Sequence, residues 1–395
     1  LVGKKYNYIT PTEMLGDRYQ SNLLGFIAAV ASVIFLIPYS SVQLIGIGTL
    51  VEGLSGGTIP FMAGVVIATI FAVTWAWIGG MRSVAWTDSL QALVMIVVAI
   101  GSVLFIVYRA FGGFGNMFTA LETQYPAWLT VPGPGFFNAK SFVGLSMPWF
   151  FFCLSNPQVS QRLFIPKSLG DMRTMVMGFL VFGFIYTLVS IIWGFSARLL
   201  LPDLAVADDA TPFLLALDIV PSVIALFILL GITAAAISTV NSIILTLSSM
   251  VSRDIVKRIN PNIDENFELL VGKIFIPLFA IAIFFFASLR LGLIAVLSVA
   301  SSAGLLVTVP SLIGAFFWKR GTAAGAITSI IAGGIIAAYF QFGNVQPLGW
   351  GAGIWSGIVS LILFIVVSIF TKPPREKAEE FLAYVNGALK EKNAI

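Results

Sequence analysis

Residues 231–254, GITAAAISTVNSIILTLSSMVSRD, hold the groups best placed to do chemistry. They lie in an uncharged run from 219 to 252 that is long enough to cross a bilayer. Yet the run carries Ser238, Thr239, Asn241, Ser242, Thr246, Ser248 and Ser249. A span so rich in hydroxyls is a poor lipid-facing helix; it suits the inside of a bundle, with oxygens turned toward something polar. On a helix the carbonyl of residue i lies near the side chains of i+3 and i+4. Ala235, Ser238 and Thr239 can therefore aim three oxygens at one point. A small hard cation is bound by such oxygens without needing a carboxylate. The competing reading is that both hydroxyls bond back to the carbonyl one turn earlier, common for Ser and Thr in lipid-embedded helices. Spacing alone does not separate the two.

Three other polar groupings interrupt apolar runs. Asp88 follows the segment GGMRSVAWT at 79–87. At a span boundary its carboxylate could contribute to an ion path; with Gln91 three residues on, it could equally form a capping box for the next span. Ser155-Asn156-Pro157-Gln158 breaks the run that begins at Ser141. Proline removes a backbone hydrogen bond, and broken helices near the midplane are where transporters hold their substrates. Trp149, Cys153 and Pro157 recur every four residues and could line one face. Alternatively Pro157 and Gln158 simply end a helix, with Trp149 as an interfacial anchor. Tyr39, with Ser40, Ser41 and Gln43 just after Pro38, is a weaker sign of a lined cavity.

What positions these residues is a membrane bundle. The 395 residues are 58% hydrophobic and 10% charged, with mean hydropathy +0.98, against about 25% charged in soluble domains. There is no histidine and one cysteine, Cys153. That excludes disulfide frameworks, Cys-ligated metal sites and the usual catalytic triads, and no phosphate-binding GxxxxGK[ST] occurs. An enzyme is not expected. The isoelectric point of 9.1 reflects topology and not nucleic-acid binding.

Breaking the chain at charges gives uncharged runs at 19–51, 53–81, 89–108, 141–161, 174–197, 219–252, 274–289, 291–318 and 321–371. A crossing helix needs roughly 20 residues. The last run is long enough for two spans, broken at residues 342–347, so ten spans are predicted. The run 274–289 is short, with Lys273 or Arg290 expected to snorkel. With loops assigned alternately to two sides, 18 of the 22 basic residues fall on the side of the N-terminal segment and the tail. The positive-inside rule then places both ends in the cytoplasm. The opposite-side loop 110–140, rich in Gly, Pro and aromatics, suggests a re-entrant or interfacial cap. Residues 1–371 read as one transmembrane domain. Residues 372–395 read as a tail with Phe381, Tyr384, Val385, Ala388 and Leu389 at helical spacing, either an amphipathic helix at the cytoplasmic membrane surface or a solvated, frayed end.

Three motifs in order, GG-x-R-x-V-x-W-T-D-x-x-Q at 79–91, NPQVSQR at 156–162 and AAAISTVNS…D at 234–254, resemble the solute:sodium symporter family. The resemblance covers nearly the whole chain, and the third motif is the most specific. It implies an all-α bundle of five plus five inverted-repeat core helices. Against that plan the spans correspond to core helices three to ten plus two peripheral ones. The peripheral helix and first two core helices that precede them, roughly 60–80 residues by span length, are missing, so the chain looks like a fragment. That matters because the family's unwound first core helix supplies backbone oxygens to the ion and contacts to the substrate.

By the same resemblance, Ala235, Ser238 and Thr239 match the family's main sodium site. Asp88 and Ser242 match positions that two-sodium members use for the second ion. Trp149 and Pro157 match substrate-side positions of proline-type carriers, and Tyr39 resembles a tyrosine lining the same cavity. Cys153 departs from the aromatic residue expected there, which puts proline itself in doubt. The function implied is sodium-coupled import, across the plasma membrane, of a small polar organic solute by alternating access. Proline or another amino acid, pantothenate and a monocarboxylate are all open. Sodium is the coupling ion, no cofactor is implied, the partners are solute, sodium and lipid, and oligomeric state is unknown. Alternatives are a transporter-derived sensor without transport, a passive channel, or a proton-coupled symporter; intact Ser238 and Thr239 favour sodium.

Overall fold

A computed structural model describes residues 1–135, 138–260, 262–292, 294–343 and 345–391, without the side chains of Met81, Arg82 and Glu391. The Asn344 position in the expected break, the Arg82 and Lys392 charges, and the last four residues of the tail lie outside the described residues.

Two short helices, α1 (Val2–Tyr6) and α2 (Pro11–Arg18), precede the bundle. The start of α2 is set by local chemistry. Thr10 is its N-cap, accepting from the Glu13 N–H at 3.0 Å, and Pro11 occupies the first turn. Ser21 caps α3 (Asn22–Leu54) in the same way, through the Leu24 N–H. Helix α4 (Phe61–Gly80) then runs directly into α5 (Ser83–Phe111). The chain turns between them at Gly80, whose φ of 56° and ψ of −172° only glycine adopts readily.

The loop expected to cap the bundle folds as α6 (Phe114–Gln124), followed by a 3₁₀ turn at Pro126–Leu129. Met117 and Leu121 on α6 are fully buried, because the helix packs on α5 and the later α10 (Leu169–Leu200). Before α10, the run 141–161 is not one helix. It forms α7 (Ala139–Phe150), α8 (Phe152–Ser155), α9 (Pro157–Ser160) and a 3₁₀ turn at Gln161–Phe164.

After α10 come the short α11 (Ala210–Leu215), then α12 (Ser222–Ile259), whose end winds as a π-helix over Val251–Val256. Helices α13 (Glu265–Ser288), α14 (Ile294–Phe317), α15 (Ala323–Phe342) and α16 (Ala352–Phe370) complete the bundle, and α17 (Arg375–Glu391) forms the tail. Nine helices among the described residues are long and apolar enough to cross a membrane. The tenth expected crossing, 141–161, is the broken segment. The last run divides in two as expected.

Two details differ from the expectation. Helix α13 begins at Glu265, well before the uncharged run, so Lys273 lies inside it. Arg290 does not simply snorkel: it pairs with Glu52 at 2.6 Å and stacks 3.6 Å above the Phe61 ring. A cation offered a carboxylate and an aromatic face beside it gains more there than from hydration alone.

The main apolar core joins α3, α4, α12 and α13 through Leu36, Val65, Ala72, Val240, Ile243 and Ile283. A second core lies at the end of the bundle that carries both termini, where Met14, Leu15, Tyr19, Val307, Phe364 and Phe381 meet. There the described part of the tail is a helix docked on the N-terminal segment. Ala378 and Phe381 are fully buried, Tyr6 bonds Glu380 at 2.9 Å, and Lys377 pairs with Asp17 at 2.9 Å.

Candidate ion and solute site

Helix α12 is the backbone of the site. It packs along α4–α5 and against α3, and carries Ser238, Thr239, Ser242 and Thr246 along its length. Ser238 Oγ donates to the Ala235 carbonyl at 2.9 Å, and Thr239 Oγ1 donates to the same oxygen at 3.0 Å. This is the back-bonded arrangement. It also holds two hydroxyl oxygens around one carbonyl oxygen, on a half-buried face, ready to turn their lone pairs outward.

Four residues further along, the site gains a charge. Asp88 is not a helix cap, because it lies several residues inside α5 and its carboxylate points across to α12. Its Oδ2 accepts from Ser242 Oγ at 3.0 Å and from Arg162 Nη2 at 3.2 Å. Arg162 also donates to Ser242, closing a triangle. Asp88 Oδ1 is buried with no partner among the described residues, as is Gln91 Oε1 one turn on. Asp88 and Ser242, far apart in sequence, are thus brought together, while the capping-box reading of Asp88 and Gln91 is overturned. Arg162, from the turn that follows α9, reaches this carboxylate with its side chain still partly exposed.

Asn241 went unassigned in the sequence, though it stands between Thr239 and Ser242. It is fully buried, and neither its Oδ1 nor its Nδ2 has a partner among the described residues. An amide left unpaired in an apolar interior costs about 1–3 kcal/mol, so such a residue calls for a ligand. The available signal was its type: an asparagine in an uncharged span is costly unless something pairs with it.

The solute-side residues gather on the broken segment. Asn156, in an extended conformation, caps α9 by accepting from the Gln158 N–H at 2.9 Å, and Pro157 starts that helix. Pro157 therefore stands at a break followed by a helical restart, and does not simply end a helix. A second break at Phe151 means that Trp149, Cys153 and Pro157 do not share one continuous helical face. Trp149 does reach Tyr39 on α3, ring centroids 6.4 Å apart. Phe152, which the four-residue spacing passed over, completes the cluster, 5.7 Å from Tyr39 and 4.8 Å from Trp149. Cys153 is half-buried and Pro157 buried. Around them Ser155 Oγ, Asn156 Nδ2 and Gln161 Oε1 are buried without partners among the described residues, as is Ser40 Oγ beside Tyr39. Tyr39 and Phe152 also pack in the cluster that holds Ala236 and Val240 of α12. The aromatic group and the hydroxyl-bearing helix thus share one core.

Comparison with known proteins gives the family and the fold. Residues 1–333 match the model of the sodium:solute symporter family. The chain is 28% identical to the sodium/pantothenate symporter of Escherichia coli over 94% of its own length and 77% of that protein's. It is 24% identical to the sodium/proline symporter of Staphylococcus aureus, over 94% and 74%. Its fold is similar to that of a sodium-coupled sialic acid symporter in a substrate-bound outward-open state, with a TM-score of 0.73 and 21% identity. The superposition covers 94% of this chain and 79% of that one.

Proposed function

Given that the chain belongs to the sodium:solute symporter family, whose members are transporters and not enzymes, we propose that it couples sodium entry to import of a small polar organic solute. The candidates are pantothenate, proline or another amino acid, and a monocarboxylate. The names of the pantothenate and proline relatives support the first two. The observation that carries the reading is the meeting of Asp88 with Ser242 on the helix that also bears Ala235, Ser238 and Thr239.

Each group has a role in that reading. Ala235, Ser238 and Thr239 offer one carbonyl and two hydroxyl oxygens to a first sodium ion. Asp88 and Ser242, with the unpaired Asn241 beside them, offer a carboxylate and neutral oxygens to a second. Arg162 neutralises Asp88 in the meantime, so an ion arriving there must share or displace the guanidinium. Arg162 follows directly on α9, and its release would act on the broken segment that carries Trp149, Cys153 and Pro157. With Tyr39 and Phe152 these form the solute wall. Sodium then shifts the conformational balance only as far as it binds one state better than the other. The predominance of basic residues in one set of loops supports a plasma-membrane orientation with both ends in the cytoplasm. The packing of α17 on α1 and α2 agrees with a shared side.

The test is uptake of labelled pantothenate, proline and acetate into proteoliposomes, with and without an inward sodium gradient, by the parent and by Ser238→Ala/Thr239→Ala. Uptake driven by sodium and lost in the double variant is expected. Uptake that ignores sodium, or survives the variant unchanged, overturns the sodium assignment; a response to a proton gradient alone would replace sodium with protons.

A further inference from the structure

Asp254, at the far end of α12, is fully buried, and no lysine or arginine nitrogen of the described residues lies within ion-pairing reach of it. Its partners are hydroxyls from outside the bundle. Thr10 Oγ1 lies 3.0 and 2.8 Å from the two carboxylate oxygens, and Thr12 Oγ1 donates at 2.7 Å. A carboxylate in such a place is costly, and an apolar contact would join two helices more cheaply. What the carboxylate adds is direction: two hydroxyls at fixed positions on α2 define where the end of α12 must sit. The π-helical turn over Val251–Val256 shifts the angular phase of Asp254 within the helix.

Helix α2 is held just as firmly at its other end, but by a different element. Arg18, fully buried, donates from Nε to the Ala315 carbonyl at 3.0 Å and from Nη2 to that of Trp318 at 3.4 Å. Tyr19 donates to the Ser311 carbonyl at 2.7 Å. These acceptors belong to the second half of α14, which a 3₁₀ turn at Leu306–Thr308 and Pro310 set apart from the first half. Two further contacts join α2 to the α12 end. Arg253 reaches Glu13 at 3.5 Å. Arg258 lies so close to Gly16 and Gly25 that a Cβ on either would clash with its guanidinium.

We propose that α2 is a strut that fixes the end of α12 against the second half of α14, and that Asp254 is the positioning residue that locks it. Asp254 lies fifteen residues, about 22 Å of helix, beyond Thr239. A rotation released at the lock is therefore carried along α12 toward the ion-binding hydroxyls, a consequence that rests on the symporter reading. Beside the lock, a cavity of about 540 Å³ is lined by Ser248, Ser249 and Ser252 of α12 and by residues of α4 and α13. Freeing the helix end opens that cavity.

The test uses single-thiol proteins of the full chain in detergent or liposomes, in the absence of sodium and solute. One carries Ser248→Cys with Cys153→Ser; the other keeps native Cys153. Maleimide labelling is timed in the parent, in Asp254→Ala, in Thr10→Val/Thr12→Val and in Asp254→Asn. The amide of Asp254→Asn can still bond both threonines. The two lock-breaking variants are expected to speed labelling at position 248 by about tenfold or more. Cys153 should stay within twofold, and Asp254→Asn should stay near the parent. Unchanged labelling at 248, or an equal rise at Cys153, overturns the proposal, as would failure of both lock-breaking variants to fold. Sodium-driven uptake is read separately, so loss of the symporter reading would leave the labelling result standing.

Discussion

Asp88 on α5 and Ser242 on α12 share a 3.0 Å hydrogen bond, with Arg162 held against both. The pair joins a half-buried carboxylate to the helix that carries Ala235, Ser238 and Thr239. This contact turns a set of separate motifs into one candidate site.

Removing the charge while keeping the shape tests that pair. Asp88→Asn should weaken the apparent sodium affinity of uptake at least tenfold, about 1.4 kcal/mol. Ser242→Ala should act in the same direction but less. Sodium titration of initial uptake rates checks both; an unaltered half-saturation in Asp88→Asn would remove Asp88 from the ion path.

Asn241 offers a contrast between stability and function. Because both of its polar atoms are buried and unpaired, Asn241→Leu should keep or raise the melting temperature in sodium-free detergent, since no hydrogen bond is lost. Sodium-driven uptake should nevertheless fall by tenfold or more. A lower melting point with normal uptake would mean that the amide serves packing alone.

Gly80 separates α4 from α5 with a positive φ, and beyond its chain neighbours no atom of the described residues lies within 4 Å of where a Cβ would sit. The cost of Gly80→Ala is therefore conformational and not steric, about 1–3 kcal/mol. Thermal unfolding should show it. A neutral result would mean that the α4–α5 join has another accessible geometry.

The docked tail rests on Phe381. Its ring lies 5.8 Å from Tyr6, 5.4 Å from Phe316 and 5.7 Å below the Arg18 guanidinium. Phe381→Ala should cost about 3–5 kcal/mol locally and release α17. The readout is trypsin cleavage at Arg375 and Lys377, which should be slow in the parent and fast in the variant.

The same dock should respond to high pH. Burial, and then the hydrogen bond to Glu380, push the Tyr6 phenol up to about 12, and burial with a bond to Asp17 raises Tyr8 as well. A phenol raised above its unfolded value, near 10, stabilises the dock fully below pH 10, and that contribution is lost as pH rises toward 12. Tail protection from protease should fall across that window in the parent. In Tyr6→Phe it should fall less steeply, and identical pH profiles would count against the role of Tyr6.

The sequence by itself determined the class of this protein and the outline of its architecture. Long uncharged runs, the loop charges and the hydroxyl-rich 219–252 stretch are local features. Hydrophobic length and residue type do not depend on where distant parts of the chain lie. The spacing of Ala235, Ser238 and Thr239 was legible for the same reason, since a helix fixes i+3 and i+4 neighbours. Tertiary structure decided what depends on contact between distant segments. Spacing left Asp88 open between a cap and an ion path because a cap is a local pattern, while its partner Ser242 stands 154 residues away. Arg162 meets its carboxylate only through the fold, because Asp88 lies on another helix. Phe152 escaped a four-residue spacing because the helix breaks at Phe151, restarting the angular count. Asp254 and its two threonines could be joined only by the fold, because a buried charge finds its partners in space and leaves no periodic trace in the chain.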